Sequence, residues 1–200
     1  PLGREVDAPL WPERFGTQAL ERIRTAVGSY VWNALYQQRP APAEGGLFKR
    51  SWWRFWRTLP ERFDEVIQSW DFAFKETRTS DFVVGQVWGR KGADKYLLDQ
   101  LRARTDFTGS IVAVRLLSSR WPRAAAKLVE GKANGPAVIA ALKKEISGLI
   151  EVEPQGSKES RAAAVTPQVE AGNVHLPERE LNPWVSDFIE EHASFPNCAH

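Results

Sequence analysis

Two carboxylates stand where strands are expected, and they define the chemistry to look for. Asp71 lies in the run Val66-Ile67-Gln68-Ser69-Trp70-Asp71-Phe72-Ala73-Phe74, where an ionised side chain is costly. Strand alternation puts Trp70, Phe72 and Phe74 on one face and Asp71 on the other. There its neighbours are the small residues Ser69 and Ala73, which leave room around the carboxylate. Glu130 closes a second apolar run, Ala126-Lys127-Leu128-Val129-Glu130. Two carboxylates brought close together repel unless a cation sits between them. Hard divalent ions such as Mg²⁺ or Mn²⁺ take such oxygen ligands. A pair of these ions can hold the attacking water and the leaving oxygen of an in-line phosphoryl displacement. Each acid alone reads equally well as a salt-bridge partner, so the signal is the pair. Asp81, opening the next strand, is a further candidate for metal support, with turn capping as its competing role.

Cations that could meet a phosphate backbone are spread in groups. Glu130-Gly131-Lys132-Ala133-Asn134-Gly135-Pro136 joins a strand to a helix, and its glycines allow a close backbone approach to phosphate. Lys132 and Asn134 are its candidate contacts. The P-loop spacing is absent, so no ATP hydrolysis is expected. Lys158 and Arg161 open a predicted helix after Gly156. Arg102 and Arg104 belong to a group with Arg115, Arg120, Arg123 and Lys127, and Lys49, Arg50, Arg54 and Arg57 interleave with Trp52, Trp53, Phe55 and Trp56. Such patches bind phosphates even at a net charge of only +2. Solvated faces over an aromatic core are the competing reading. The histidines are His175, His192 and His200, and no pattern around them suggests a nucleophilic triad.

The elements that must position these groups follow from periodicity. Helices are predicted over 17–26, with Gly28 as a stop, and over 30–38; a Pro/Gly linker covers 39–46. Three strands with short turns follow: the Asp71 run, 81–88 and 95–101, with a turn over 89–94. Then come a helix at 109–119, the strand 126–130, a helix at 137–147 and a strand at 149–152. A helix at 158–170, an extended piece at 174–176 and a helix at 183–194 complete the chain. The expected fold is α/β: a mixed sheet with a three-stranded antiparallel meander plus parallel strands, flanked by helices. In this order the first and fourth strands are neighbours, which sets Asp71 beside Glu130.

Composition agrees with one sizeable globular unit. The chain has 200 residues, 42% of them hydrophobic and 26% charged, with no apolar stretch approaching the roughly 20 residues that span a bilayer. A single cysteine, Cys198, excludes an intrachain disulfide and a multi-cysteine zinc site, and an intracellular compartment is the default. The start, Pro1-Leu2-Gly3-Arg4-Glu5, lacks Met and reads as a piece of something longer.

Several strings in a fixed order resemble the nuclease domain of phage terminase large subunits. They are Ser69-Trp70-Asp71-Phe72-Ala73, Ser80-Asp81-Phe82, Val129-Glu130-Gly131-Lys132-Ala133-Asn134-Gly135, Gly156-Ser157-Lys158-Glu159-Ser160-Arg161, Glu170-Ala171-Gly172-Asn173-Val174-His175-Leu176-Pro177 and Phe195-Pro196-Asn197. Upstream, Leu35-Tyr36-Gln37-Gln38-Arg39-Pro40 and Gly45-Gly46-Leu47-Phe48 are similar to the segment joining that family's ATPase domain to its nuclease. The resemblance implies an RNase H-like fold that cuts double-stranded viral DNA concatemers during packaging, using two Mg²⁺ or Mn²⁺ ions. Residues 1–60 would be a connector and 61–200 the nuclease. Asp71 and Glu130 match the first two metal-binding acids. The partners implied are double-stranded DNA, an ATPase domain, a small terminase subunit and a capsid portal, in the host-cell cytoplasm. Two departures stand out: Gly131 where the family often has a second acid, and a chain reaching only His200, where a His-Asp-Asp-like run carrying the third acid is expected to open. His200 resembles a histidine that helps bind metal in some relatives. The competing readings are a resolvase- or integrase-type phosphoryl-transfer enzyme, and a DNA-binding module that does not cut.

Overall fold

The computed structural model describes residues 9–36, 46–72, 82–180 and 182–196, apart from the side chains of 29, 30, 33 and 34. The chain divides into two compact units: Pro1–Trp53 with Ser157–Gly172 and Asp187–His200, and Arg54–Gly156 with Asn173–Ser186. The predicted linker over 39–46 falls mostly outside the described residues.

In the second unit, seven described strands make one sheet in the order β1-β7-β4-β3-β2-β5-β6. They are β1 (Arg54–Trp56), β2 (Glu65–Asp71), β3 (Val83–Lys91), β4 (Asp94–Ala103), β5 (Ala126–Glu130), β6 (Leu149–Val152) and β7 (Val174–Pro177). β2, β3 and β4 form the antiparallel meander, while β2 pairs with β5 and β5 with β6 in parallel. This is the mixed α/β sheet expected from the sequence, including the adjacency of the Asp71 and Glu130 strands. Two corrections concern its length and edge. β3 and β4 run through most of the predicted turn, leaving a tight reversal at Gly92 (φ 58°), whose N–H donates to Asp64 Oδ2 at 2.7 Å. That donor is the main reason the exposed Asp64 carboxyl is held below its ordinary pKa, with Lys91 adding to it. The unpredicted β1 pairs in parallel with β7, its Trp56 Nε1 donating to Leu97 O at 3.0 Å.

One face of the sheet carries a large hydrophobic cluster. Trp70, Val83, Val87 and Val129 pack with Ile111, Val114 and Leu117 of α2 (Phe107–Arg120) and with Val138 and Leu142 of α3 (Gly135–Leu142). α2 forms because Ile111, Val114 and Leu117 recur at helical spacing behind a capping aspartate; the Asp106 side chain accepts from Gly109 N at 2.7 Å. At its far end Arg120 and Trp121 Nε1 both donate to Asp99 Oδ2 at 2.8 Å, tying the helix to β4. α3 stops at Leu142, short of its predicted limit of 147. Glu145 and Ile146 both donate to Leu142 O, and the chain then turns through Gly148 (φ 76°) into β6.

The first unit contains α1 (Thr17–Val31), kinked at Gly28 (φ 75°), where the sequence predicted a stop, and followed by a π-helical turn over Trp32–Tyr36. It also holds α4 (Lys158–Glu170), capped by Ser157 Oγ accepting from Ser160 N at 3.1 Å, and most of α5 (Trp184–Ser194). Phe48, Trp53 and Phe188 surround the His192 ring, and desolvation there pushes the imidazole below its ordinary pKa. Arg50 grips Glu190 with two bonds of 2.8 and 2.6 Å. Among the described residues no helix is long and apolar enough to cross a membrane.

Candidate active site

The register of three strands builds the site. β2 and β5 pair in parallel with Trp70 opposite Val129, so the next residues, Asp71 and Glu130, end neighbouring strands side by side. Paired residues share a face. Trp70 and Val129 are buried, whereas Asp71 and Glu130 take the opposite, accessible face. The row continues through Val84 of β3 to Arg102 of β4. Two carboxylates and a guanidinium therefore lie in one line across the C-terminal end of β2 and β5. This follows from alternation alone: the residues that anchor the core at i are what force an exposed acid at i+1.

Gly131 extends the pairing, its N–H donating to Val152 O at 2.9 Å. A Cβ there would meet Glu153 Oε1 at 2.5 Å and Glu151 Oε1 at 2.9 Å. Glu151 pairs with Val129 and so belongs to the face away from Asp71. A side chain at position 131 would thus compete with these carboxylates for space, on the wrong side of the sheet for Asp71. Beyond Gly131 the chain turns sharply through Ala133, a non-glycine residue at φ 52°, into α3. This turn carries the exposed Lys132 and the N-cap Asn134, on the same edge as Glu130.

Arg102, the guanidinium of that row, has Arg104 close by, whereas the remaining described candidates fall elsewhere. Arg102 and Arg104 lie at the end of β4, both exposed and both against the Phe82 ring. Lys158 and Arg161 open α4 in the other unit, where they line a cavity of about 370 Å³ with Phe48, His192 and Phe195. Asp81 and His200 lie outside the described residues. Phe82 is added to these candidates by the geometry alone; in the sequence it is an aromatic residue of a strand-like run, and nothing in its spacing points to Arg102 and Arg104.

Asp71 and Glu130 are a hard-oxygen donor set of the kind that Mg²⁺ and Mn²⁺ prefer, and their shared face and strand ends fit a divalent ion. Among the described residues no group of three or more His, Cys, Asp or Glu side chains could hold a metal ion. Asp71 and Glu130 are thus two carboxylates without a third such side chain among the described residues.

No curated protein sequence matches the chain. Among solved structures, the large terminase of a thermophilic bacteriophage in complex with ATP-gamma-S is similar over 88% of this chain and 44% of its own, with a TM-score of 0.63 and 12% identity. The large terminase nuclease from thermophilic phage G20c with bound magnesium is similar over 70% of this chain and 78% of its own, with a TM-score of 0.52 and 15% identity. Its cobalt-bound form gives a TM-score of 0.51 at 15% identity, over 69% and 77% of the two chains. The chain spans less than half the length of the first of these, the nucleotide-bound large terminase. These likenesses show the RNase H-like fold. The family model of the terminase RNaseH-like domain matches residues 68–198, from the strand of Asp71 to beyond the last helix, and this chain belongs to that family.

Proposed function

We propose that the chain is a divalent-metal-dependent endonuclease domain that cleaves double-stranded viral DNA concatemers during genome packaging. The observation that carries this reading is the β2–β5 register, which sets Asp71 and Glu130 on one accessible face of a terminase-type sheet. Asp71 and Glu130 would hold Mg²⁺ or Mn²⁺, two ions in the complete ligand set, with Asp81 and His200 as the further candidate ligands. Bound ions of this kind supply an activated water and offset charge developing on the phosphate. The magnesium in the G20c nuclease supports this choice of metal.

The chain's own residues do the rest. The carboxylates orient and hold the ions, while Lys132, Asn134, Arg102 and Arg104 engage the DNA backbone. Lys158 and Arg161 are further backbone contacts. Because phosphate contacts position a duplex without reading it, cutting should be indifferent to sequence. In the longer protein, residues 1–60 would connect this nuclease, 61–200, to an ATPase domain. A small terminase subunit and a capsid portal would be its partners in the host-cell cytoplasm.

A plasmid-nicking assay in Mn²⁺ tests the proposal, comparing this chain with Asp71→Ala. Metal-dependent cutting that disappears in the variant supports the site. Equal cutting by both proteins removes it. If neither cuts and both retard DNA in a low-salt gel, the chain is a DNA-binding module.

A further inference from the structure

The Phe82 ring holds two guanidiniums at once. Arg102 Cζ is 3.8 Å from the ring centroid and Arg104 Cζ is 4.5 Å. Val83 pairs with Ala103 and Val84 with Arg102, so Phe82 comes opposite Arg104 and diagonal to Arg102. All three share the face of Asp71, since Asp71 pairs with Val84. Two strand spacings put the Arg102 backbone roughly 10 Å from that of Asp71.

We infer that Phe82, Arg102 and Arg104 form a clamp for successive phosphates of one DNA strand, with Phe82 as the residue that positions both forks. The inference rests on the nuclease reading for its substrate and extends it to a defined subsite. Two like charges drawn to one ring repel each other, while the ring's negative face attracts each of them. A phosphate bound beside them lowers that repulsion further. Stacking uses the flat face of a guanidinium, while the in-plane N–H fork is the part that grips a phosphate. The ring thus orders both forks before the DNA arrives, so less entropy is lost on binding. Arg102 lies in β4 and Arg104 directly follows its last residue; residues two apart in extended chain advance about 6.6 Å, which sets the two forks along the strand direction and holds one backbone there.

Binding of a short fluorescein-labelled duplex of mixed sequence, followed by anisotropy across a salt series in EDTA, tests the clamp without cutting. The double variant R102Q/R104Q should lower the slope of log K against log salt by close to two, about 0.9 for each phosphate left without its arginine. Phe82→Leu keeps both charges and an apolar side chain; it should weaken binding about threefold to tenfold with the slope nearly held. Arg102→Lys should behave like Phe82→Leu, because it keeps charge and loses the stacked fork. An unchanged slope in the double variant overturns the clamp. Wild-type affinity in Phe82→Leu, with an unchanged melting temperature, overturns the positioning role; should that variant misfold, Arg102→Lys at its exposed position decides the same point. Nicking by the same proteins separates the two readings. Asp71-dependent cutting with an unchanged slope sinks the clamp alone. A lowered slope in a chain that never cuts sinks the nuclease alone.

Discussion

The two faces of the β2–β3–β5 segment are made from alternate residues of the same strands, and they follow opposite rules. On one face Trp70, Val83, Val87 and Val129 are almost fully enclosed against α2 and α3. Even its polar members, Gln68 and Lys127, are buried, paired in register across β2 and β5. Gln68 Oε1 accepts from Trp70 Nε1 at 2.9 Å, and Lys127 Nζ donates to Ala124 O at 2.7 Å. The other face presents Asp71, Glu130 and Arg102 in a row and keeps them accessible. Burial is concentrated on the first face of these strands, and the proposed chemistry belongs to the second. One residue of register separates them, so a slip of one position would exchange the two sets entirely.

Substitutions that keep the two faces apart test this division. Trp70→Ala should have the largest effect, a loss of about 3–5 kcal/mol, because the ring fills the centre of the enclosed face. Chemical denaturation measures it, and a loss below about 1 kcal/mol would break the comparison. Asp71→Asn should remove on the order of 100-fold or more of the nicking rate. Its melting temperature should stay near that of the wild type, since the side chain is exposed. A collapse of stability in this variant would mean that the accessible face also holds the fold together.

Gly85→Ala should cost about 1–3 kcal/mol, because a Cβ at Gly85 would lie 2.5 Å from the Trp70 ring. The double variant Gly85→Ala with Trp70→Leu should recover part of that loss if the clash is its cause. The smallest effect concerns Lys127, whose ammonium is pushed below the ordinary lysine pKa by desolvation. Below that lowered pKa both folded and unfolded chains carry the proton, and the buried charge is a penalty. As pH rises from the folded value to the unfolded one near about 10.4, the unfolded chain binds more protons, so stability should increase. Lys127→Met should lack this alkaline gain, which paired melting curves on the alkaline side, up to about pH 10.4, would reveal.

Much of the sheet was legible in the sequence because alternation is a strong local signal. The bounds of β5, β6 and α4 agree with the expectation from periodicity alone. The adjacency of β2 and β5 followed from element order. Other features depended on partners distant in sequence. Gly89 resembled a turn residue, yet it lies inside β3, paired with Val66 and Tyr96, and the Phe63 ring occupies the space beside it; a Cβ would come within 2.8 Å of that ring. β1 has three residues, too few for a pattern, and exists through its pairing with β7, far along the chain. Phe82 looked like an ordinary strand residue, and its role as a platform emerges only once Arg102 and Arg104 are brought alongside.

The parallel β2–β5 pairing also ties the ligand set to the progress of folding. β2, β3 and β4 are joined by consecutive antiparallel pairings, whereas Asp71 meets Glu130 only after the rest of the meander and α2 have been looped out between them. Closing such a loop is entropically demanding, which places this pairing among the late, topology-limited contacts. An unfolded or half-folded chain therefore carries the two acids but does not bring them side by side. If the proposed metal site is right, divalent metal should stabilise the native state by mass action and slow its unfolding, which would make the ion a reporter of completed assembly.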